Sequence, residues 1–182
     1  GAGLPDHFPG DLAIDKYTYL RWFEQMSQMN ANCIRVYTLQ MPEFYEALYE
    51  YNTKVEDPLY LLQGTWFNEE LLSESRNVFD PAFLELHQRD SKALVDIIHG
   101  NCKIDEIYGG AWGRYEKDVS KWVLGWLIGT ELETDYIEAT NSNNTDRTSY
   151  SGEYFLCENV TPYECFWAEA ADFITRYEME RY

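Results

Sequence analysis

Trp122-Val123-Leu124-Gly125-Trp126-Leu127-Ile128-Gly129-Thr130-Glu131-Leu132-Glu133 is an apolar run that stops on two carboxylates. It is too short to cross a bilayer and rich in branched and aromatic residues, which is the composition of a strand buried on both faces of a parallel sheet. The acids then fall at the strand's carboxyl end, the edge at which α/β sheets bind ligands and do chemistry. Glu131 is therefore a candidate general acid/base. Glu133, two residues on, shares its face if the strand runs that far, with alpha carbons about 6.5–7 Å apart. A solvated strand end is the plainer reading of both.

Upstream, the same alternation of strand and helix repeats. Asp15 is a plausible N-cap for a helix to about Met29, with Tyr19, Leu20, Phe23 and Met26 on one stripe. Cys33-Ile34-Arg35-Val36-Tyr37-Thr38-Leu39 has the β-branched and aromatic content of a strand. Arg35 inside it must pair with an acid or enter a polar site, because an unpaired buried charge is prohibitively costly. Pro42 opens a second helix, and Leu59–Trp66 reads as a second strand, with Trp66 and Asn68 at its carboxyl end. The polar segment 68–79 reads as a loop with possible helical turns. Asp80-Pro81 then starts a helix to about His99 that Gly100 stops, with His87 and His99 as surface or capping residues. In 105–120, Tyr108, Trp112 and Tyr115 sit around a Gly-Gly pair, either as a sugar platform or as packing.

Downstream, the stretch from Thr134 to Asn159 is polar and asparagine-rich, and its length favours a site-covering loop or lid over disorder. Thr161-Pro162-Tyr163-Glu164 carries capping-box signals and starts a last helix with Phe166, Ala170, Phe173, Ile174 and Tyr177 on one face. The first fourteen residues, with three glycines and two prolines, read as an irregular loop in which Asp6 and His7 either line a site or form a solvated turn. Three parallel strands are thus expected, alternating with helices across a single domain over 1–182. Such a thin sheet has two open edges that need covering, by the remainder of a larger barrel or by a second copy of the chain.

The 182 residues carry 14 Lys+Arg against 32 Asp+Glu, a formal charge of -18. That balance repels nucleic acid and anionic membranes and fits neutral ligands such as carbohydrate. Four cysteines (Cys33, Cys102, Cys157, Cys165) lack CxxC spacing and the three histidines are scattered, so neither a metal nor a cofactor is expected. A Cys157–Cys165 disulfide is possible, but free buried thiols are favoured. Acidic charge and abundant aromatics lean toward an extracytoplasmic location. Asn143-Asn144-Thr145 and Asn159-Val160-Thr161 are glycosylation sequons, meaningful only in a eukaryotic secretory setting.

Asn30-Ala31-Asn32-Cys33-Ile34-Arg35-Val36-Tyr37 and Trp126-Leu127-Ile128-Gly129-Thr130-Glu131 resemble the "GANxIRVY" and "WxxGNE" strands of the retaining (β/α)8 glycoside hydrolases. The resemblance covers nearly all of the chain but only about half a barrel. It implies that the three strands are barrel strands two, three and four of a partial TIM barrel. Glu131 then matches the acid/base glutamate and Arg35 the arginine near the nucleophile, with Tyr37, Trp66, Asn68, Trp112, Thr130 and Glu133 as candidate substrate contacts. Thr130 departs from the asparagine that usually precedes the glutamate. Retaining hydrolysis needs two carboxyls about 5 Å apart, and the family's nucleophile comes from strand seven, to which nothing here is assigned. The expected function is glycosidase-like action on a β-linked glycan, with this chain alone inactive. The alternatives are a catalytically silent carbohydrate-binding barrel and a small self-assembling α/β module.

Overall fold

The computed structural model describes residues 13–107, 109–129 and 132–182. In chain order these form α1 (Lys16–Gln28), β1 (Cys33–Val36), α2 (Pro42–Asn52), β2 (Tyr60–Thr65), α3 (Glu69–Ser75), α4 (Pro81–Ile98), β3 (Cys102–Ile104), β4 (Gly113–Tyr115), a 3-10 turn (Ser120–Trp122), β5 (Val123–Ile128), α5 (Thr134–Asn143), β6 (Ser149–Ser151), β7 (Leu156–Glu158) and α6 (Pro162–Arg181). The fold is α/β. A parallel sheet runs in the order β1-β2-β5, with Cys33 opposite Tyr60 and Val36 opposite Gln63. Two antiparallel hairpins, β3-β4 and β6-β7, accompany it.

The chain divides into two compact units, one of residues up to Gly64 with Asp96–Trp126, the other of Thr65–Val95 with Leu127–Tyr182. In the first, Asp15 caps α1 by accepting from Thr18 N at 2.7 Å, which holds its carboxyl below the ordinary range. Tyr19, Phe23, Phe44, Tyr45 and Leu48 from α1 and α2 meet Leu59 and Leu61 in one core. Edge-to-face contacts such as Phe23 with Phe44 at 5.7 Å account for the aromatic content. Asn52, buried at the end of α2, donates to Leu59 O at 2.8 Å and accepts from Leu59 N at 2.9 Å. Its amide thus stands in for a neighbouring strand and fixes where β2 begins.

In the second unit the core is Phe67, Leu72, Val78, Phe79, Phe83, Tyr163, Cys165, Phe166 and Ala170. Helix α6 begins with the capping box read from the sequence, Thr161 Oγ1 accepting from Glu164 N while Glu164 Oε2 accepts from Thr161 N.

Four expectations are corrected. β5 and β1 are edge strands, not strands buried on both faces: β1 alternates exposed and half-buried residues, and Leu124 is 59% exposed. Ile34 and Val36 pack on the core formed with α1 and α2, while Cys33 and Arg35, on the opposite face of β1, stay exposed. The polar stretch after β5 is not a lid but α5 and the β6-β7 hairpin. Its polar side chains anchor backbone: Thr140 Oγ1 accepts from Val78 N at 3.2 Å and Asn141 Oδ1 from Tyr163 N at 2.9 Å. Segment 105–120, read as a glycine-hinged loop, contributes β4 to a hairpin, while the helical turns allowed for in 68–79 are found at Glu69–Ser75. His87 is buried, at 6% exposure, and not a surface residue.

Candidate functional site

A parallel sheet gathers the carboxyl ends of its strands at one edge. Of the residues read from the sequence in the first unit, Tyr37 follows the end of β1, whereas Arg35 lies within β1 and Trp112 precedes β4 of the antiparallel hairpin. Arg35 is exposed, and its guanidinium carbon lies 4.3 Å from the centroid of the Tyr37 ring. Residues two apart on an extended segment share a face, which brings the two together. The expectation that Arg35 is buried is thereby corrected: the charge stays solvated and rests on a ring, an attraction of about 0.5–1 kcal/mol at an exposed site. Tyr37 itself is 44% exposed and Trp112 38% exposed. Trp112 lies just before β4, where Gly113 has a φ of 127° and an added Cβ would stand 2.7 Å from Pro42 Cγ. Glycine is required there on both counts.

The first unit holds a polar network that sequence reading missed. Gln63 is fully buried on β2. Its Oε1 accepts from the Tyr45 hydroxyl at 2.9 Å, and its Nε2 donates to Gly64 O at 3.0 Å and Thr38 O at 3.3 Å. The Tyr115 hydroxyl donates to Gln40 O at 2.9 Å. Burial raises the phenols of both Tyr45 and Tyr115 above their ordinary value, so they are neutral donors. The network pins residues 38–40, the chain directly after the Arg35–Tyr37 pair. A lone glutamine in an apolar run was the only sequence signal for it.

In the second unit, Trp66 is 38% exposed between buried Thr65 and Phe67. Asn68 is the N-cap of α3, its Oδ1 accepting from Leu71 N at 2.8 Å. That use of the oxygen leaves the amide N–H groups for a ligand. Strand β5 ends at Ile128, and Gly129 follows in the left-handed region at φ 66°. Gly129 N donates to both Thr65 O at 3.1 Å and Thr65 Oγ1 at 3.2 Å. An added Cβ at Gly129 would meet the Phe67 ring. Glu133 is thus not a strand residue; it is exposed and occupies the N-cap position of α5 without a side-chain cap bond. Thr130 and Glu131 lie outside the described residues, as do Tyr108, Asp6 and His7.

Also missed was His87, whose ring lies 5.1 Å from Phe67 and 5.7 Å from Phe166, centroid to centroid. Burial lowers its pKa to about 4, so it is neutral at physiological pH. Among the described residues no group of three or more His, Cys, Asp or Glu is placed to hold a metal ion. No helix among them is long and apolar enough to cross a membrane. Family models, curated proteins and solved structures were all compared with the chain, and none matches.

Proposed function

We propose that this chain carries the acid/base side of a glycosidase-like site for a β-linked glycan, in a partial (β/α)8 barrel. Glu131 is the general acid/base and the nucleophile comes from outside these 182 residues. The observation that supports this reading best is the order of the parallel sheet. Strands β1, β2 and β5 are neighbours in the sequence of their appearance, with α2 leading from the first to the second and α4 lying between the second and the third. A barrel built by successive addition of strand and helix has that order, which it shares with one half of a doubly wound sheet. β5 ends at Ile128 with Gly129 in the left-handed region, and Glu131 follows two residues later in the sequence. Exposed Trp66 supplies a face for a sugar ring and the Asn68 amide supplies donors.

In this reading Glu131 protonates the leaving oxygen and later removes a proton from water, and a second carboxylate about 5 Å away makes the covalent bond to the sugar. Thr130 in place of the usual asparagine favours a second reading, a barrel that binds glycan without cleaving it.

Titration of the chain with a panel of β-linked oligosaccharides tests the proposal. Expected are weak binding that Trp66→Ala removes and no release of aryl alcohol from aryl β-glycosides. Absence of binding across the panel overturns the carbohydrate reading. Turnover by the 182 residues alone overturns the assignment of the nucleophile to another segment. In a protein that also supplies the nucleophile, retained glycosidase turnover after Glu131→Gln overturns the role of Glu131.

A further inference from the structure

The β6-β7 hairpin faces α6 through two matched pairs of side chains. Tyr150 and Cys157 are direct partners in the antiparallel register, so both leave the hairpin on the same face. Cys165 and Asp172 are seven residues, two turns, apart on one face of α6. The Tyr150 hydroxyl donates to Asp172 Oδ2 at 3.2 Å, and the Cys157 and Cys165 sulfurs stand 3.8 Å apart, both as free thiols. The Tyr154 and Phe155 amides, at 2.7 and 3.1 Å from Asp172 Oδ1, hold the hairpin turn against the helix. The hairpin is therefore already seated, and the sulfurs need only a small side-chain movement to reach the bonded separation of about 2.05 Å.

We propose that Cys157 and Cys165 are an oxidisable pair that closes into a disulfide and clasps the β6-β7 hairpin to α6. The oxidant is a low-molecular-weight disulfide such as glutathione disulfide. The half-buried Cys157, as thiolate, attacks one sulfur of the oxidant and displaces one glutathione thiolate, leaving a mixed disulfide on Cys157. Cys165 then loses its proton and attacks Cys157 Sγ, which expels the second glutathione thiolate. The two protein thiols give up two electrons and two protons, and the oxidant becomes two thiols. Cys165 donates to Arg147 O at 3.4 Å. Burial, together with the neighbouring Cys157, pushes its thiol up to about 11. Burial persists once Cys157 carries glutathione, so the closing step quickens as pH rises and the Cys165 thiolate fraction grows.

The test is incubation of the protein at about pH 8.5 in glutathione redox buffers, followed by acid quenching, alkylation, trypsin digestion and mass spectrometry. Cys157 and Cys165 share the tryptic peptide 148–176, while Cys33 lies in 22–35 and Cys102 in 93–103. Expected is a 148–176 peptide about 2 Da lighter and free of alkyl groups, at redox ratios where exposed Cys33 is only partly glutathionylated. The peptide's formation rate should rise with pH, and Cys157→Ser should leave Cys165 fully alkylated. Two alkyl groups on 148–176, or a lasting glutathione adduct on Cys157, under conditions that modify Cys33, overturns the proposal.

Discussion

The two units bury polar groups of different kinds. In the first, the buried polar residues among those described, Asn52 and Gln63, are neutral amides, each hydrogen-bonded through both its oxygen and its nitrogen. In the second, the buried polar groups include two that titrate. His87 lies among Phe67, Phe83 and Phe166 with no hydrogen-bond partner for Nε2 among the described residues. Asp172 is fully buried under the hairpin. Burial opposes its charge, but the Tyr154 and Phe155 amides and the Tyr150 hydroxyl outweigh that and hold its carboxyl below the ordinary value. A satisfied amide is indifferent to acid, whereas a neutral buried histidine and an ionised buried aspartate are both lost to it. His87 and Asp172 thus tie the second unit's core to pH, as the amides Asn52 and Gln63 do not tie the first.

The largest effect expected is from Phe166→Ala, which removes a ring that contacts Phe67, Phe79, Phe83 and Tyr163. It should cost about 3–5 kcal/mol in urea unfolding, with protection from hydrogen exchange lost first among second-unit amides. Equal loss in both units would break the comparison.

Acid gives the next largest effect. His87 is neutral in the fold with a pKa near 4, against an ordinary value of 6.5. The unfolded chain therefore binds the proton first, and stability present in full above pH 6.5 falls as pH drops toward 4. The loss is about 3 kcal/mol across that window. Titration of urea midpoints with pH checks the sign, and His87→Leu should flatten the curve between those limits. The depressed Asp172 carboxyl adds a further loss at lower pH, as it protonates.

Asp172→Ala strands the Tyr154 and Phe155 amides and the Tyr150 hydroxyl and should cost about 2 kcal/mol. The loss should show as exchange of the β6-β7 amides while α1 and α2 remain protected. Tyr45→Phe, in the first unit, removes the donor to Gln63 Oε1 and should cost about 1–2 kcal/mol with no change in the pH profile. A pH-dependent loss there would contradict the contrast drawn between the cores. Smallest in stability is Trp66→Ala, within about 0.5 kcal/mol because the ring is a surface substitution. It should nevertheless abolish binding in the oligosaccharide titration.

Caps and helix starts were legible because they depend on neighbours in the chain. Asp15, Pro42, Pro81 and the Thr161–Glu164 box each satisfy or remove orphan amides within one turn. The existence of β1, β2 and β5 was legible from apolar content, but their burial was not. Whether an apolar run is covered on both faces depends on which elements pack against it, and Leu124 carries no local sign of being exposed. The Asn-rich stretch after β5 misled for the same reason. Thr140 and Asn141 look like loop residues until Val78 N and Tyr163 N arrive to be bonded.

Of the candidate site, the sequence by itself determined which residue types follow the strand ends: Tyr37, Trp66, Asn68 and the acid at Glu131. That β5 stops at Ile128, with Gly129 at φ 66°, was not legible, because the apolar run reads on to the acids. Only tertiary structure decided that Arg35 lies solvated on Tyr37, that Gln63 anchors residue 38, and that Glu133 belongs to a helix start. It likewise decided that His87 is enclosed by three phenylalanine rings and that two thiols eight residues apart stand 3.8 Å from each other. Those outcomes depend on partners drawn from distant parts of the chain, and hydrophobic period and capping chemistry, which act over a turn or two, do not encode them.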